Sequence, residues 1–244
     1  MTTPPQDREF RTTQWSLIIS SRGDDSSIRR KSLSELCKAY WYPLFAYLRR
    51  KGNPPENAAD YVQSFFVELI DKQYLESVSP DKGRFRWFLM SAIKRFVAKQ
   101  VEKQLAQKRG GALQVFSIDV DNAEQRYQLE PTDGWTAEKL FDRRWALEVL
   151  RQALDQLKTQ FHENGKAELF QELQSTLTGI QISQSQYEEI GDRLSMSPGA
   201  VKVAALRLRE KYRKTMQEIV RQTIVDSKTV EDELEHLLTA LRGT

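Results

Sequence analysis

Cysteine and histidine are scarce in this chain, which removes several classes of chemistry. The 244 residues contain one cysteine, Cys37, and two histidines, His162 and His236. A single thiol cannot form an internal disulfide, and without partner cysteines it cannot build a zinc site. A catalytic Cys/His pair is an alternative on paper, although a lone thiol is rarely catalytic. We therefore expect no metal and no cofactor.

Long apolar runs are also missing. The sequence has no stretch of about 18 apolar residues, the length that a membrane-spanning helix requires. Residues 1–14 contain no apolar signal-peptide core, and we expect them to be disordered. No glycine-rich phosphate-binding loop occurs, so we expect neither ATP use nor a small-molecule substrate. The expected location is the cytoplasm.

Charge is concentrated in blocks, although 37 basic and 34 acidic residues leave a net charge of only +3. Residues 83–111 contain eight Lys or Arg and one acid, and residues 198–214 contain six and one. Between them, residues 117–142 contain seven acids and two basic residues. Two basic segments separated by an acidic one indicate two contacts with a polyanion. Solvated helix faces are the alternative explanation.

Helical periodicity dominates the chain, and the only strand candidate is residues 113–120. Apolar spacing predicts a short helix near Trp15 and longer helices over 32–51, 54–72, 84–108, 136–163 and 167–177. Asn53 and Thr136 suit the capping positions of two of these helices, and Pro54 suits a first helical position. We therefore predict an all-α fold of two small helical domains joined by an acidic linker.

The segment from Tyr187 to Arg213 has the most informative pattern. A short helix ends at Leu194, a turn follows, and Ser197 can cap a second helix. Gly191 is small enough to allow close packing of the two helices. The second helix has an apolar face directed at the first, formed by Val201, Ala205 and Leu208. This pattern is typical of a helix-turn-helix, whose second helix enters the major groove of DNA.

The opposite face of that second helix carries small apolar residues and cations. Apolar contacts to thymine methyl groups are expected from Ala200, Val203 and Ala204. Phosphate contacts are expected from Lys202, Arg207 and Arg209. The helix N-terminus, which favours a phosphate, is formed by Ser197, Pro198 and Gly199.

Two segments in the first half contain further candidates. The run Asp60-Tyr-Val-Gln63-Ser-Phe-Phe66 places Asp60 and Gln63 on an exposed helix face, with Phe66 at its boundary. The run from Gly83 to Arg95 has one face opposite a phenylalanine core, formed by Trp87, Ser91, Lys94 and Arg95. An exposed aromatic ring among cations suits single-stranded DNA, because the ring stacks on a base while the cations hold phosphate. Ordinary amphipathic packing is the alternative for both segments.

These three segments resemble those of bacterial RNA polymerase sigma factors of the extracytoplasmic-function (ECF) subfamily. The resemblance covers residues 33–108 and 135–216. It implies that core RNA polymerase is bound by Asp60, Gln63 and Phe66. It implies that the unpaired minus-ten promoter element is bound by Arg86, Trp87, Ser91, Lys94 and Arg95, and that the helix-turn-helix recognises the minus-thirty-five element. Ser64 and Lys99 depart from the family pattern, in which an acid is commoner at both positions.

The resemblance also implies a domain order. Residues 15–109 correspond to sigma region two, 110–135 to a linker, 136–216 to sigma region four, and 217–244 to a C-terminal helical extension. The expected function is non-enzymatic: the chain binds core RNA polymerase and promoter DNA and helps to melt the duplex. Whether an anti-sigma or other regulatory protein is a further partner stays open.

Two other functions are consistent with parts of the sequence. A helix-turn-helix regulator would bind duplex DNA without polymerase and would need a dimerisation surface. An enzyme acting on nucleic acid would need clustered carboxylates or metal ligands in a basic cleft, and the sequence shows no obvious cluster.

Overall fold

The computed structural model describes residues 26–71, 85–106, 119–178, 183–221 and 230–242. Over these residues the chain is helical and contains no strand, which confirms the all-α prediction. The α-helices are α1 Ser26–Arg50, α2 Pro55–Asp71, α3 Phe85–Ala106, α4 Val120–Gln128, α5 Ala137–Glu163, α6 Ala167–Leu173, α7 Gln184–Leu194, α8 Pro198–Arg221 and α9 Val230–Arg242. A short 3-10 helix, Gln174–Thr178, follows α6.

Several sequence predictions concern residues outside these ranges. They are the disordered N-terminus at 1–14, the short helix near Trp15, the loop at 77–83 and most of the strand candidate at 113–120. The last residue of that candidate, Val120, is the first residue of α4.

The chain divides into two compact units, and the boundary falls inside α5 between Arg144 and Trp145. The second unit contains the described residues 145–221 and 230–242. The sequence predicted a linker at residues 110–135, and of this range the structure describes residues 119–135, which lie in the first unit. Residues 119–144 belong to the first unit because their side chains are paired with residues of α1 and α3.

The core of the first unit is formed by α1, α2 and α3. The α2 stripe predicted from spacing is buried, at Ala58, Tyr61, Val62, Phe65 and Leu69. Aromatic rings connect the helices: Tyr40 of α1 meets Phe85 of α3 edge-on with centroids 5.5 Å apart, and Phe65 meets Phe96 at 5.7 Å. Burial of such rings is the main stabilising contribution in a small helical domain.

The corner between α1 and α2 differs by one residue from the prediction. Gly52 has φ +90°, and the amide of Asn53 donates to the carbonyl of Leu48, so the end of α1 has the glycine-terminated form common at helix C-termini. The side-chain amide of Asn53 also donates to Leu48, at 2.9 Å. Asn53 therefore stabilises the preceding helix, and α2 begins at Pro55 rather than Pro54.

Helix α4 lies within the predicted linker and packs against α1 and α2. Asp119 caps it, accepting a hydrogen bond from the amide of Asn122 at 2.9 Å. Glu124 accepts two hydrogen bonds of 2.7 Å from the guanidinium of Arg49, and that guanidinium also lies over the ring of Tyr127. Acidic composition indicated a solvated spacer, but here the acid is the partner of an arginine at the end of α1.

Glu130 is a buried carboxylate that joins α1 to the start of α5. The hydroxyl of Tyr42 donates to it at 2.9 Å, Arg143 lies 3.3 Å away, and Arg144 forms a second ion pair. Burial raises the pKa of Tyr42, and the negative charge of Glu130 raises it further. The guanidinium of Arg126 covers the Tyr42 ring at 3.8 Å. We call residues 119–144 the acidic strap.

The second unit has its own core, which includes Leu157 of α5, Phe170 and Leu173 of α6, Ile190 of α7, and Val201, Ala205 and Leu208 of α8. Thr136, in the first unit, caps α5 as predicted, because its hydroxyl accepts from the amide of Lys139 at 3.2 Å. Gly165, with φ +66°, ends α5. The C-terminal helix α9 packs on α8 and buries Val230 and Leu237.

We expect Glu130→Gln to lower the free energy of unfolding of the first unit by about 2–3 kcal/mol. The reason is that two guanidinium groups lose their charged partner in a buried site. Asp133→Asn, in the exposed turn nearby, removes the same charge and is expected to have almost no effect. Urea unfolding followed by circular dichroism compares the two variants. Equal unfolding curves for both would contradict a stabilising role for Glu130.

Candidate nucleic-acid interface

The pair α7 and α8 is defined at each end by a cap. Ser183 and Gln186 form a reciprocal capping box at the start of α7. Ser195 ends α7 in the left-handed region, with φ +53°, and the amide of Met196 then donates to the carbonyl of Gly191 at 2.8 Å. The hydroxyl of Ser197 accepts from the amide of Ala200 at 3.2 Å, which confirms the predicted cap of α8.

Close approach at Gly191 determines the turn between the two helices. A Cβ atom at this position would lie 2.6 Å from the carbonyl oxygen of Met196. Real Cβ atoms essentially never approach an oxygen so closely, so only glycine allows this chain path. The prediction that a small residue is needed here is confirmed.

Helix α8 has one buried and one exposed face. Val201, Ala205 and Leu208 are buried against the core of the second unit. The exposed side includes Gly199, Ala200, Lys202, Val203, Arg207 and Arg209, all predicted as DNA contacts. Pro198 and Ala204 are half-buried, so they contribute less surface than the other predicted contacts.

Sequence reasoning missed Leu206, whose side chain is 64% exposed. It lies one helical turn after Val203, which is also exposed, so the two form a short apolar ridge among cations. The spacing of three residues from Val203 was the available signal. The sequence analysis assigned Leu206 neither to the buried face of the helix nor to its DNA-facing side.

The cations of α8 have different surroundings. The ammonium of Lys202 donates to the side chain of Gln184 at 2.6 Å and lies over the ring of Tyr187. The Nε of Arg209 donates to the carbonyl of Thr176 at 3.1 Å, which fixes that side chain toward the 3-10 helix. Among the described residues, Arg207 has no hydrogen bond or ion pair, so its guanidinium is available to an anion.

Helix α3 presents the predicted aromatic and cationic face. Trp87 is 53% exposed, and Ser91, Lys94 and Arg95 are exposed on the same side of the helix. Arg86 differs from the prediction: it is only 2% exposed and lies 3.3 Å from Asp142 of α5. Arg86 follows the core residue Phe85, and its guanidinium is buried between Asp142 and the Trp87 ring, whose centroid lies 5.8 Å away.

Lys94 belongs to a small charged cluster. Its ammonium lies 3.1 Å from Oε1 of Glu138, and the ammonium of Lys51 lies 3.3 Å from the same oxygen. Burial alone would raise the pKa of Glu138, but the hydrogen bonds from the two lysines outweigh it and hold this pKa below its usual value. Both ammonium groups also lie over the ring of Tyr47, and burial together with Glu138 raises the pKa of Tyr47 to about 12.

The third predicted site, on α2, is mostly covered. Asp60 is exposed, but Gln63 is 8% exposed and Phe66 is 2% exposed. The sequence predicted an exposed Gln63 and a boundary position for Phe66, and the structure differs for both. The physical reason is that α2 packs against α1, α3 and α4, so more than one of its faces is buried.

The one thiol of the chain lies inside the first unit. Cys37 is buried, and its burial raises the pKa of the thiol to about 12, which disfavours the reactive thiolate form at neutral pH. No group of three or more metal-ligating side chains occurs in the described part of the chain. Among the described helices, none has the length and hydropathy needed to cross a membrane.

We expect Gly191→Ala to destabilise the second unit by about 1–3 kcal/mol, because the new methyl group would push against a backbone carbonyl. Gly199→Ala is the matched control, since no atom lies within 4 Å of the position of its added Cβ. That control should be neutral or stabilising by up to about 1 kcal/mol. Thermal and urea unfolding measure both. A Gly191→Ala protein as stable as the control would show that the turn adapts easily.

Comparison with known proteins identifies the family. A protein-family model described as ECF sigma factor matches residues 45–218, which include α2 to α7, most of α8 and the end of α1. No curated protein and no solved structure matches the chain. The matched part exceeds half of the sequence and contains all three candidate surfaces. The chain therefore belongs to the ECF sigma factor family, whose members are non-enzymatic factors of transcription initiation.

Proposed function

We propose that this sigma factor recognises the minus-thirty-five element through α8, captures the unpaired minus-ten element through α3, and binds core RNA polymerase through α2. The single observation that carries the proposal is the exposed face of α8. On that face an apolar ridge and an available guanidinium lie side by side on a helix whose other face is buried.

The α8 face fits the major groove of duplex DNA. Val203 and Leu206 are solvent-exposed apolar side chains, and they would contact thymine methyl groups at the base edges. Lys202 and Arg207 lie next to this ridge and would contact phosphates, which adds affinity without sequence information. Arg209 is directed by its bond to Thr176 and would contribute less than Arg207.

The α3 face fits unpaired DNA. A base that leaves the duplex loses its stacking partner, and the exposed ring of Trp87 offers a replacement surface. Ser91 and Arg95, one and two turns further along, would bind the adjoining backbone. Arg86 is not assigned to this surface, because its side chain is buried beside Asp142. Stacking and polymerase binding together would offset the cost of opening a few base pairs, so no ATP is needed.

On α2, Asp60 is the residue that remains available for core polymerase. Gln63 and Phe66 are buried, so they would contact polymerase only after a local rearrangement of α2 or α4. A cytoplasmic location and a regulatory anti-sigma partner both fit this function.

Run-off transcription tests the proposal directly. The purified chain is added to bacterial core RNA polymerase with fragmented genomic DNA, and the transcripts are sequenced. We expect initiation at a defined set of sites that share two elements at fixed spacing. Duplex binding without any initiation by core enzyme would favour a polymerase-independent helix-turn-helix regulator instead.

We expect Arg207→Gln to weaken binding of the holoenzyme to every promoter by a similar factor and to reduce the slope of log K against log salt by about 1. Arg221→Gln is the control, because it removes the same charge from the same helix about 20 Å further along. Fluorescence anisotropy at several salt concentrations gives both slopes. Equal slopes for the two variants would remove Arg207 from the interface.

Asp60→Asn is expected to weaken binding to core polymerase roughly tenfold, the effect of losing one charge-assisted hydrogen bond. Because Asp60 is exposed, the thermal stability of the free chain should not change. Asp133→Asn removes an exposed charge elsewhere in the first unit and serves as the control. Titration of labelled core enzyme measures both affinities, and an unchanged affinity for Asp60→Asn would relocate the polymerase contact.

A further inference from the structure

Two lysines from different helices converge on one carboxylate oxygen at the edge of the α3 surface. Lys51 comes from the residue after α1, Lys94 from α3, and the oxygen is Oε1 of Glu138 in the first turn of α5. We propose that Lys51 and Lys94 form a phosphate-binding pair for single-stranded DNA, and that Glu138 occupies this pair until DNA displaces it. The assignment of that DNA to the promoter rests on the function proposed above.

The geometry suits a phosphate. Each ammonium group carries three donors, and the two groups already lie 3.3 and 3.1 Å from a single anionic oxygen. A phosphate oxygen has the same charge and the same preference for several donors. Both lysines are held on one side by the ring of Tyr47, so their positions are determined before an anion arrives.

The pair is continuous with the face already assigned to unpaired DNA. Lys94 follows Ser91 by one helical turn and Trp87 by two, so a strand stacked on Trp87 would extend toward it. Lys51 widens this surface onto a second helix, and no sequence motif pointed to it. Sequence reasoning missed Lys51 because its role depends on the packing of α1 beside α3.

Glu138 is the one acid of the strap that an incoming anion can readily replace. The side chains of Glu138 and of both lysines are between two-fifths and one-half exposed, and exposed ion pairs contribute little to stability. Glu124 and Glu130 differ, because their arginine partners are largely buried and make several hydrogen bonds with them. Displacing Glu138 therefore leaves the rest of the strap docked.

Glu138 therefore disfavours the binding of weakly interacting anions at this site. A phosphate must compete with a carboxylate that is already in place, so isolated contacts with random nucleic acid gain little at this site. A strand that also stacks on Trp87 and contacts Arg95 gains enough from those contacts to displace Glu138. Glu138 thus improves discrimination for the complete ligand at the expense of affinity.

The experiment measures binding of the full-length chain to a fluorescein-labelled oligothymidylate by anisotropy over a range of salt concentrations. Glu138→Gln should bind about three- to tenfold more tightly than the wild type at low salt, since it loses the internal competitor. Its salt slope should be steeper by about 0.7, because the site gains one unit of positive charge. Lys51→Gln and Lys94→Gln should each bind more weakly than the wild type.

Glu148→Gln is the matched control, since it lies on the same helix and also loses an ion pair, here with Arg151 at 2.6 Å. It should bind like the wild type. The decisive comparison is Glu138→Gln in a Lys51→Gln, Lys94→Gln background, where the gain should vanish while thermal unfolding shows an intact fold.

Three results would overturn the proposal: equal affinities for the Glu138 and Glu148 variants, a gain that persists without the two lysines, or no measurable binding by any variant. Run-off transcription distinguishes failure of the phosphate pair from failure of the proposed sigma-factor function. If the wild type directs transcription but Glu138→Gln binds oligothymidylate no more tightly than Glu148→Gln, only the phosphate-pair proposal is wrong. The expected oligothymidylate results without any transcription keep the phosphate pair and remove the promoter assignment.

Discussion

Ion pairs between the acidic strap and helices α1 and α3 determine which cations of the first unit are available to bind DNA. Arg49 of α1 is held by Glu124 and Arg86 of α3 lies beside Asp142, while within the strap itself Arg144 is directed at Glu130. These arginines stabilise the fold and are not available to a phosphate. Arg95 and Trp87 remain exposed on the outer side of α3. The same pairing therefore stabilises the unit and limits the cations that DNA can reach to those around the exposed face of α3.

In the second unit a steric constraint has the corresponding role. Because the carbonyl of Met196 lies against Gly191, the chain leaves α7 by a sharp turn and enters α8 at once. Val201, Ala205 and Leu208 then bury one face of α8, and helical periodicity leaves Val203, Leu206 and Arg207 outside. The exposed side chains of α8 need no individual hydrogen bonds to be presented on this face. Backbone contact and burial are sufficient to present the apolar ridge.

Local signals were enough to predict most of the fold. The caps at Thr136 and Ser197 and the buried stripe of α2 depend on residues close in sequence, and all are confirmed. The acidic strap could not be predicted in this way. Its acids find partners up to 88 residues away, as Glu130 does with Tyr42, and composition alone cannot distinguish a paired acid from a solvated one.

The same limit explains the misplaced site residues. Gln63 was assigned to an exposed face by its position along a single helix, whereas Arg86 was assigned to DNA by the resemblance to sigma factors. Each residue is covered by another part of the fold. Helical periodicity therefore predicted the side-chain direction correctly, but the assumption that each helix has only one buried face was wrong. Leu206 is the opposite case, because a residue type typical of cores lies where no helix covers it. Periodicity predicts directions around a helix, and only tertiary packing decides which directions remain open.

A small net charge is compatible with binding a polyanion when the acids are placed as they are here. Averaged over the chain, +3 would give weak attraction to DNA. Yet four acids of the strap are paired with cations of the fold, and Glu210 and Glu218 are paired with Lys214 and Arg221 toward the far end of α8. Arg207 and Arg95 have no such neighbour among the described residues. The electrostatic potential at the DNA-facing surfaces depends on these few side chains. The small net charge largely reflects acidic and basic side chains that are paired with each other. Since surface charge beyond about 10 Å is screened at moderate salt, the local arrangement outweighs the total.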